Sequence, residues 1–217
     1  MNGVAKLVII RRSSYSFLFY FILVSVIGMT VSYFFNNLTD YRFGSLIWLL
    51  SFTLVTLCFK SVREAIFPLY NLRPFYKVYP YLYILFGLLV PYSLMKLFIK
   101  YEVFLSNDFI FLYTNGLLNS NGMDLYYYID ILIFSPIWEE AFFRGVLLFI
   151  LLKFLKPFWA ITISSIVFSL FHPLYFVIIF VWGGLLAIMT YKTKSLIPAM
   201  ITHSTWNLYA GKLILFF

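Results

Sequence analysis

The sequence predicts an all-α, polytopic integral membrane protein: a helix bundle of about seven to eight spans around an intramembrane polar cavity. Three observations point there. Of 217 residues, 63% are hydrophobic and only 11% are charged, well under the ~25% charged residues of soluble domains. Apolar runs close to the roughly 20 residues that a bilayer-crossing helix needs recur along the chain. Inside those runs the polar groups gather in three short motifs, Glu139-Glu140-Ala141-Phe142-Phe143-Arg144, Phe168-Ser169-Leu170-Phe171-His172 and His203-Ser204-Thr205-Trp206-Asn207. A charge at bilayer depth costs roughly 2.5–3.5 kcal/mol on insertion scales, so intramembrane charges mark functional sites by default. No polar run is long enough to enclose a core of its own. Residues 1–217 therefore read as a single membrane domain.

In order, the candidate spans are 15–35, 43–59, 79–99, 126–152, 158–171, 174–191 and 196–217. The first follows Lys6, Arg11 and Arg12 and superficially resembles a signal peptide. Its apolar stretch exceeds the ~7–15 residues of a signal core and lacks a small-x-small cleavage site, which predicts a retained span. Residues 43–59 barely reach span length. Residues 66–80 hold Pro68, Pro74 and Pro80 with Arg73 and Lys77. Each proline drives its predecessor out of the helical region, which predicts a cytoplasmic loop against the headgroups instead of a continuous helix. Pro91 is expected to kink the third span. Residues 103–118 are interrupted by Ser106, Asn107, Asp108, Asn115 and Gly116. They read as an interfacial or re-entrant helix, with an eighth span as the alternative. Residues 158–171 are short for a span.

The net charge of +8 lies between the apolar segments and not on one basic face. A lipid bilayer is therefore the expected surrounding, and no nucleic-acid partner is expected. A cytoplasmic N-terminus and seven spans put Lys6, Arg11, Arg12, Lys60, Arg63, Arg73, Lys77, Lys153, Lys156, Lys192 and Lys194 inside. That lysine and arginine asymmetry sets the orientation. Cys58 is the single cysteine and lies in an apolar run. It makes no disulfide framework or thiolate metal site, and a buried structural thiol is expected.

The motifs carry the chemistry. Residues four apart share a helix face, so Glu140 and Arg144 can pair and lower the cost of burying both. Glu139 is rotated about 100° from Glu140 and is left to face elsewhere. Removal from water strengthens a carboxylate as a base, which suits general acid–base work. His172 closes the short apolar run and precedes Pro173. His203 and Asn207, again four apart, point into one groove, where Asn207 can orient the imidazole, donate to an oxyanion, or bridge helices.

As a set, Glu-Glu-x-x-x-Arg, Phe-x-x-x-His and His-x-x-x-Asn, each on its own helix, resembles the CAAX-protease and bacteriocin-processing family of intramembrane endopeptidases. The likeness covers residues 126–209, which are expected to form the catalytic core. The resemblance implies that Glu139 and His172 activate the attacking water. It implies that Glu140 and Arg144 support Glu139, and that His203 and Asn207 stabilise the oxyanion. Metal use is left open by the residues. Glu139, His172 and His203 could ligate zinc with one open position, but the pattern lacks His-Glu-x-x-His. No cofactor is favoured.

The expected function is thus hydrolysis of a peptide bond near the membrane surface, by an enzyme of glutamate type or a metallo-endopeptidase. Its expected place is a bacterial plasma membrane, its partner a peptide or protein substrate. Processing of a small secreted peptide, or self-immunity against a bacteriocin, is the family-based expectation. The alternative is a non-catalytic membrane protein that modulates a sensor kinase or an exporter. A transporter with a proton-relaying Glu/His chain is a third reading, weakened by the lack of paired broken-helix repeats.

Overall fold

The computed structural model describes residues 3–37, 44–104, 107 and 125–210. These residues form eight helices and no strand, in keeping with the all-α expectation. They are α1 (Gly3–Asn37), α2 (Gly44–Cys58), α3 (Lys60–Ile66), α4 (Tyr79–Tyr101), α5 (residues 125–154), α6 (Pro157–Leu170), α7 (Phe176–Thr193) and α8 (Ile197–Ala210). The chain divides into two units, Met1–Phe67 and Pro68–Phe217.

In the first unit, α1 buries Phe17, Tyr20 and Val24 on one stripe, the spacing of a helix face turned to a neighbour. The Tyr20 hydroxyl lies 2.9 Å from Thr56 Oγ1, and Ser16 Oγ lies 2.8 Å from Ser61 Oγ. The opposite side exposes Leu18, Ile22, Val26 and Met29. A helix with an apolar outer face suits a hydrocarbon surrounding. Helix α2 stops at Phe59, whose backbone is extended. Cys58 corrects the sequence reading: it is exposed at the end of α2, not buried. Hydropathy marks a segment as apolar but does not say which of its faces meets protein.

In the second unit, the proline-rich stretch breaks into short 3-10 turns at Phe67–Leu69 and Arg73–Tyr76, as its prolines predict. The Asn71 side-chain amide donates to the Lys194 carbonyl at 2.9 Å, and Ser195 Oγ donates to the Asn71 carbonyl at 2.7 Å. Helix α4 runs unbroken through Pro91. Pro91 has no N–H for the carbonyl four residues back, that of Gly87. Trp182 Nε1 donates to that carbonyl instead, at 3.0 Å, which ties α4 to α7. Pro198 sits in the first turn of α8, where a backbone N–H has no helical acceptor to lose.

Helix α5 is continuous but not uniform. Two π-helical stretches, Asp130–Phe134 and Glu140–Leu147, alternate with α-helix at Leu125–Ile129, Ser135–Glu139 and Leu148–Phe154. Pro136 explains the first. Its missing N–H removes the α-type donor to Leu132 and the π-type donor to Ile131. Helix α8 supplies both: Ser204 Oγ donates to the Leu132 carbonyl at 2.7 Å, and Asn207 Nδ2 donates to the Ile131 carbonyl at 2.8 Å. Around this junction the core is aromatic, with Phe143, Phe168, Trp182 and Trp206 all buried.

Among the described residues, three helices are long and apolar enough to cross a membrane: Tyr15–Phe34, Tyr79–Tyr101 and Pro173–Thr193. A fourth span results if Gly44–Cys58 and Lys60–Tyr76, bent by 105°, count as one. Pro157–Leu170 is a shorter apolar helix. The interfacial helix expected over 103–118 falls, apart from residues 103, 104 and 107, outside the described residues, as does 211–217 of the last expected span.

Candidate active site

The site is built from α5, the end of α6, the start of α7 and α8. Glu140 and Arg144 are both completely enclosed, at 0% and 1% exposure. Arg144 Nη1 donates to Glu140 Oε1 at 3.0 Å, the pairing that their spacing predicts. The same oxygen lies 2.8 Å from His203 Nδ1. Against an ionised carboxylate that nitrogen is the N–H donor, which leaves Nε2 as the working edge of the ring. Nε2 in turn lies 3.9 Å from Glu139 Oε2. That separation is too long for a hydrogen bond, and Glu139 Oε2 is buried with no hydrogen-bond partner among the described residues. Both carboxylates keep a buried Oε2 without a hydrogen-bond partner among the described residues, but Glu140 is held through Oε1 by a cation and an imidazole, whereas Glu139 Oε2 stands 3.9 Å from that same imidazole.

The π-helical stretch begins at Glu140, where such local widening is often found at functional sites. Ser164 Oγ of α6 donates to the Phe143 carbonyl within it, at 3.1 Å. Arg144 Nη2 reaches the Gly183 carbonyl of α7 at 3.4 Å. Its guanidinium carbon sits 4.0 Å from the centre of the Phe168 ring, a cation–π contact strengthened by the absence of water.

His172 follows the last turn of α6. Its Nδ1–H donates to the Phe168 carbonyl at 3.2 Å, which again leaves Nε2 free. Its ring packs 5.0 Å from Phe168 and 5.9 Å from Tyr175. Phe168 also meets the His203 ring, at 6.1 Å. Glu139, Glu140, Arg144 and His203 are thus brought together directly, and His172 joins them across Phe168. Asn207 lies one helical turn beyond His203, and its amide nitrogen is given to Ile131. One of its two N–H groups remains after that bond.

Several residues that shape the site carry no role in the sequence reading. Phe168 opens the second motif, and its ring proves to be the surface shared by Arg144 and both histidines. Trp182 stands edge-on to His203 at 4.9 Å. Gly183 leaves room for the guanidinium: a Cβ there would meet Phe168 Cδ1 at 3.1 Å and Arg144 Nη2 at 3.3 Å. Ser204, within the third motif, holds the break in α5. A Gly-Gly pair in an apolar helix was the one sequence sign of close approach.

Among the described residues no group of three or more His, Cys, Asp or Glu side chains is arranged to hold a metal. His203 presents its Nδ1 to Glu140 and His172 its Nδ1 to the Phe168 carbonyl, so a metal would have to be held through the two Nε2 atoms and Glu139.

Residues 121–209 match the family model for type II CAAX prenyl endopeptidase, Rce1-like proteins. No curated protein and no solved structure matches the chain. The matched interval contains all three motifs and every side chain of the site described above. Over residues 121–209 the chain is therefore similar to the Rce1-like type II CAAX prenyl endopeptidases.

Proposed function

We propose that the protein is an intramembrane endopeptidase of the CAAX-protease type, using a water molecule activated by Glu139. One observation carries this reading: Glu139 Oε2 is buried and uncommitted, beside an imidazole whose other nitrogen is fixed by Glu140. A base and an oriented partner, kept apart by the neighbouring ion pair, are what peptide hydrolysis requires.

In this scheme Glu139 takes a proton from water, with His172 at the same water. The hydroxide adds to the scissile carbonyl carbon. The resulting oxyanion is stabilised by His203 and by the remaining N–H of Asn207. Collapse of the tetrahedral intermediate breaks the C–N bond, and the proton held by Glu139 passes to the leaving amine. Arg144 and Glu140 fix the geometry without touching the substrate. The scheme needs no metal.

We place the enzyme in a bacterial plasma membrane with its N-terminus in the cytoplasm and seven spans around a polar cavity, supported by the lysine and arginine asymmetry. The proposed substrate is a small secreted peptide precursor, or a bacteriocin against which the cell protects itself. The test compares the peptides of cells carrying wild-type and Glu139→Ala protein. A peptide that accumulates uncut in the variant supports proteolysis. A variant that keeps its full cellular effect with no change in peptides would favour the non-catalytic, interaction-only role.

A further inference from the structure

A cavity of about 370 Å³ runs from Arg144 along α5 towards its C-terminal end, away from Glu139. Leu148 and Leu152 wall it, Lys153 and Lys194 line its polar part, and Thr190 lies with Arg144 at its enclosed end. Both lysines are exposed, and each ammonium is steadied over a ring: Lys153 5.0 Å from Phe149, Lys194 4.1 Å from Tyr191. At the enclosed end, Arg144 Nε and Thr190 Oγ1 are buried with no hydrogen-bond partner among the described residues. Among the described residues no acidic side chain lines the cavity. Two ammonium groups and two unanswered buried donors around one space call for an anion with several acceptor oxygens.

The same end of the unit carries Lys156 and Lys192 and exposes Phe154, Phe158 and Trp159 at 59%, 68% and 55%. Lysines interleaved with outward aromatic rings mark a membrane–water boundary. Basic pockets between helices at that level take lipid headgroups, and the volume lies within the range of small-ligand sites.

We propose that this cavity binds the phosphate group of an anionic phospholipid, with Lys153 and Lys194 at the rim and Arg144 and Thr190 at the floor. The cavity shares Arg144 with the candidate active site, but lipid binding there does not depend on proteolysis. A bound headgroup becomes a further partner of the guanidinium that holds Glu140, so lipid composition acts on the geometry of the reaction centre.

The experiment uses the full chain in detergent, with phosphatidylglycerol, phosphatidylcholine or inorganic phosphate added. Native mass spectrometry reads the lipid retained, and thermal unfolding reads the stabilisation. Phosphatidylglycerol is expected to be retained at one per chain and to raise the unfolding midpoint saturably, with phosphatidylcholine doing neither. Lys153→Gln with Lys194→Gln should weaken that binding by about tenfold or more. Lys156→Gln with Lys192→Gln, outside the cavity, should leave it unchanged. Equal losses in the two double variants would replace the site with diffuse surface charge. Equal stabilisation by inorganic phosphate would replace the lipid with a free anion, and failure to retain phosphatidylglycerol would overturn the proposal outright.

Discussion

His203 Nδ1 and Arg144 Nη1 converge on one oxygen, Glu140 Oε1, at 2.8 and 3.0 Å. A single buried carboxylate oxygen thereby fixes both a cation on its own helix and an imidazole 63 residues further along the chain. The two neighbouring glutamates should consequently respond to the same substitution in opposite ways.

Glu139→Gln keeps volume and polarity but cannot accept the proton of water. Cleavage should fall about 10²–10⁴-fold, while thermal unfolding in detergent changes little. Glu140→Gln strips a buried guanidinium of its counter-charge and should cost about 3–5 kcal/mol of stability. Comparing melting and cleavage for the pair checks this; equal melting of both variants would contradict the assignment.

Arg144→Ala removes the other half of the same pair and should also cost about 3–5 kcal/mol, seen as a lower unfolding midpoint and lower folded yield. Arg144→Lys keeps a charge but loses the planar fork and the stacking on Phe168, so it should recover part of the stability and little of the geometry. An Arg144→Ala protein as stable as wild type would deny the ion pair any structural weight.

The glycine pair offers a matched contrast. A methyl group at Gly183 presses on both Phe168 and Arg144, so Gly183→Ala should destabilise by about 1–3 kcal/mol and slow cleavage. At Gly184 the added methyl meets only Ser165 Oγ at an ordinary 3.6 Å. Gly184→Ala should be neutral or gain up to ~1 kcal/mol from helix propensity. Urea or thermal unfolding of both variants reads the difference directly.

Ser204→Ala leaves the Leu132 carbonyl without a donor and should cost about 1–3 kcal/mol. Pro136→Ala restores a backbone N–H in register with that carbonyl. In the Ser204→Ala background it should therefore recover part of the loss, giving a non-additive double-mutant cycle. Strict additivity would mean that the proline and the serine do not act on the same group.

Chelator treatment should leave cleavage and melting unchanged, and purified, untagged protein should contain far less than one zinc per chain. Stoichiometric zinc on both histidines, with activity lost on chelation, would replace the proposed water activation by a metal centre.

Much of this was legible in the chain. Composition announces the helices, and the four-residue spacing of Glu140 and Arg144 announces their contact, because both are local properties of a helix. The three motifs name most of the site for the same reason. What was hidden is long-range. Pro91 and Pro136 each advertise a carbonyl deprived of its donor, but nothing nearby tells that Trp182 and Ser204 will serve them. Asn207 shows the limit well: its place beside His203 follows from spacing, whereas its bond to Ile131, 76 residues back, depends on the π-helical widening of α5. Cys58 fails for another reason, since an apolar neighbourhood does not distinguish a protein-facing side from an outward-facing one.

The two side chains that α8 lends to α5 also impose an order on biosynthesis. The carbonyls of Ile131 and Leu132 emerge from the ribosome long before Ser204 and Asn207 exist to receive them. Until α8 has been made and docked, the glutamate-bearing helix lacks both its splint and the imidazole opposite it. On the proposed mechanism a chain ending before α8 lacks His203 and Asn207 and should be inert. In the proposed mechanism, hydrolytic capacity therefore waits on the docking of α8 against α5.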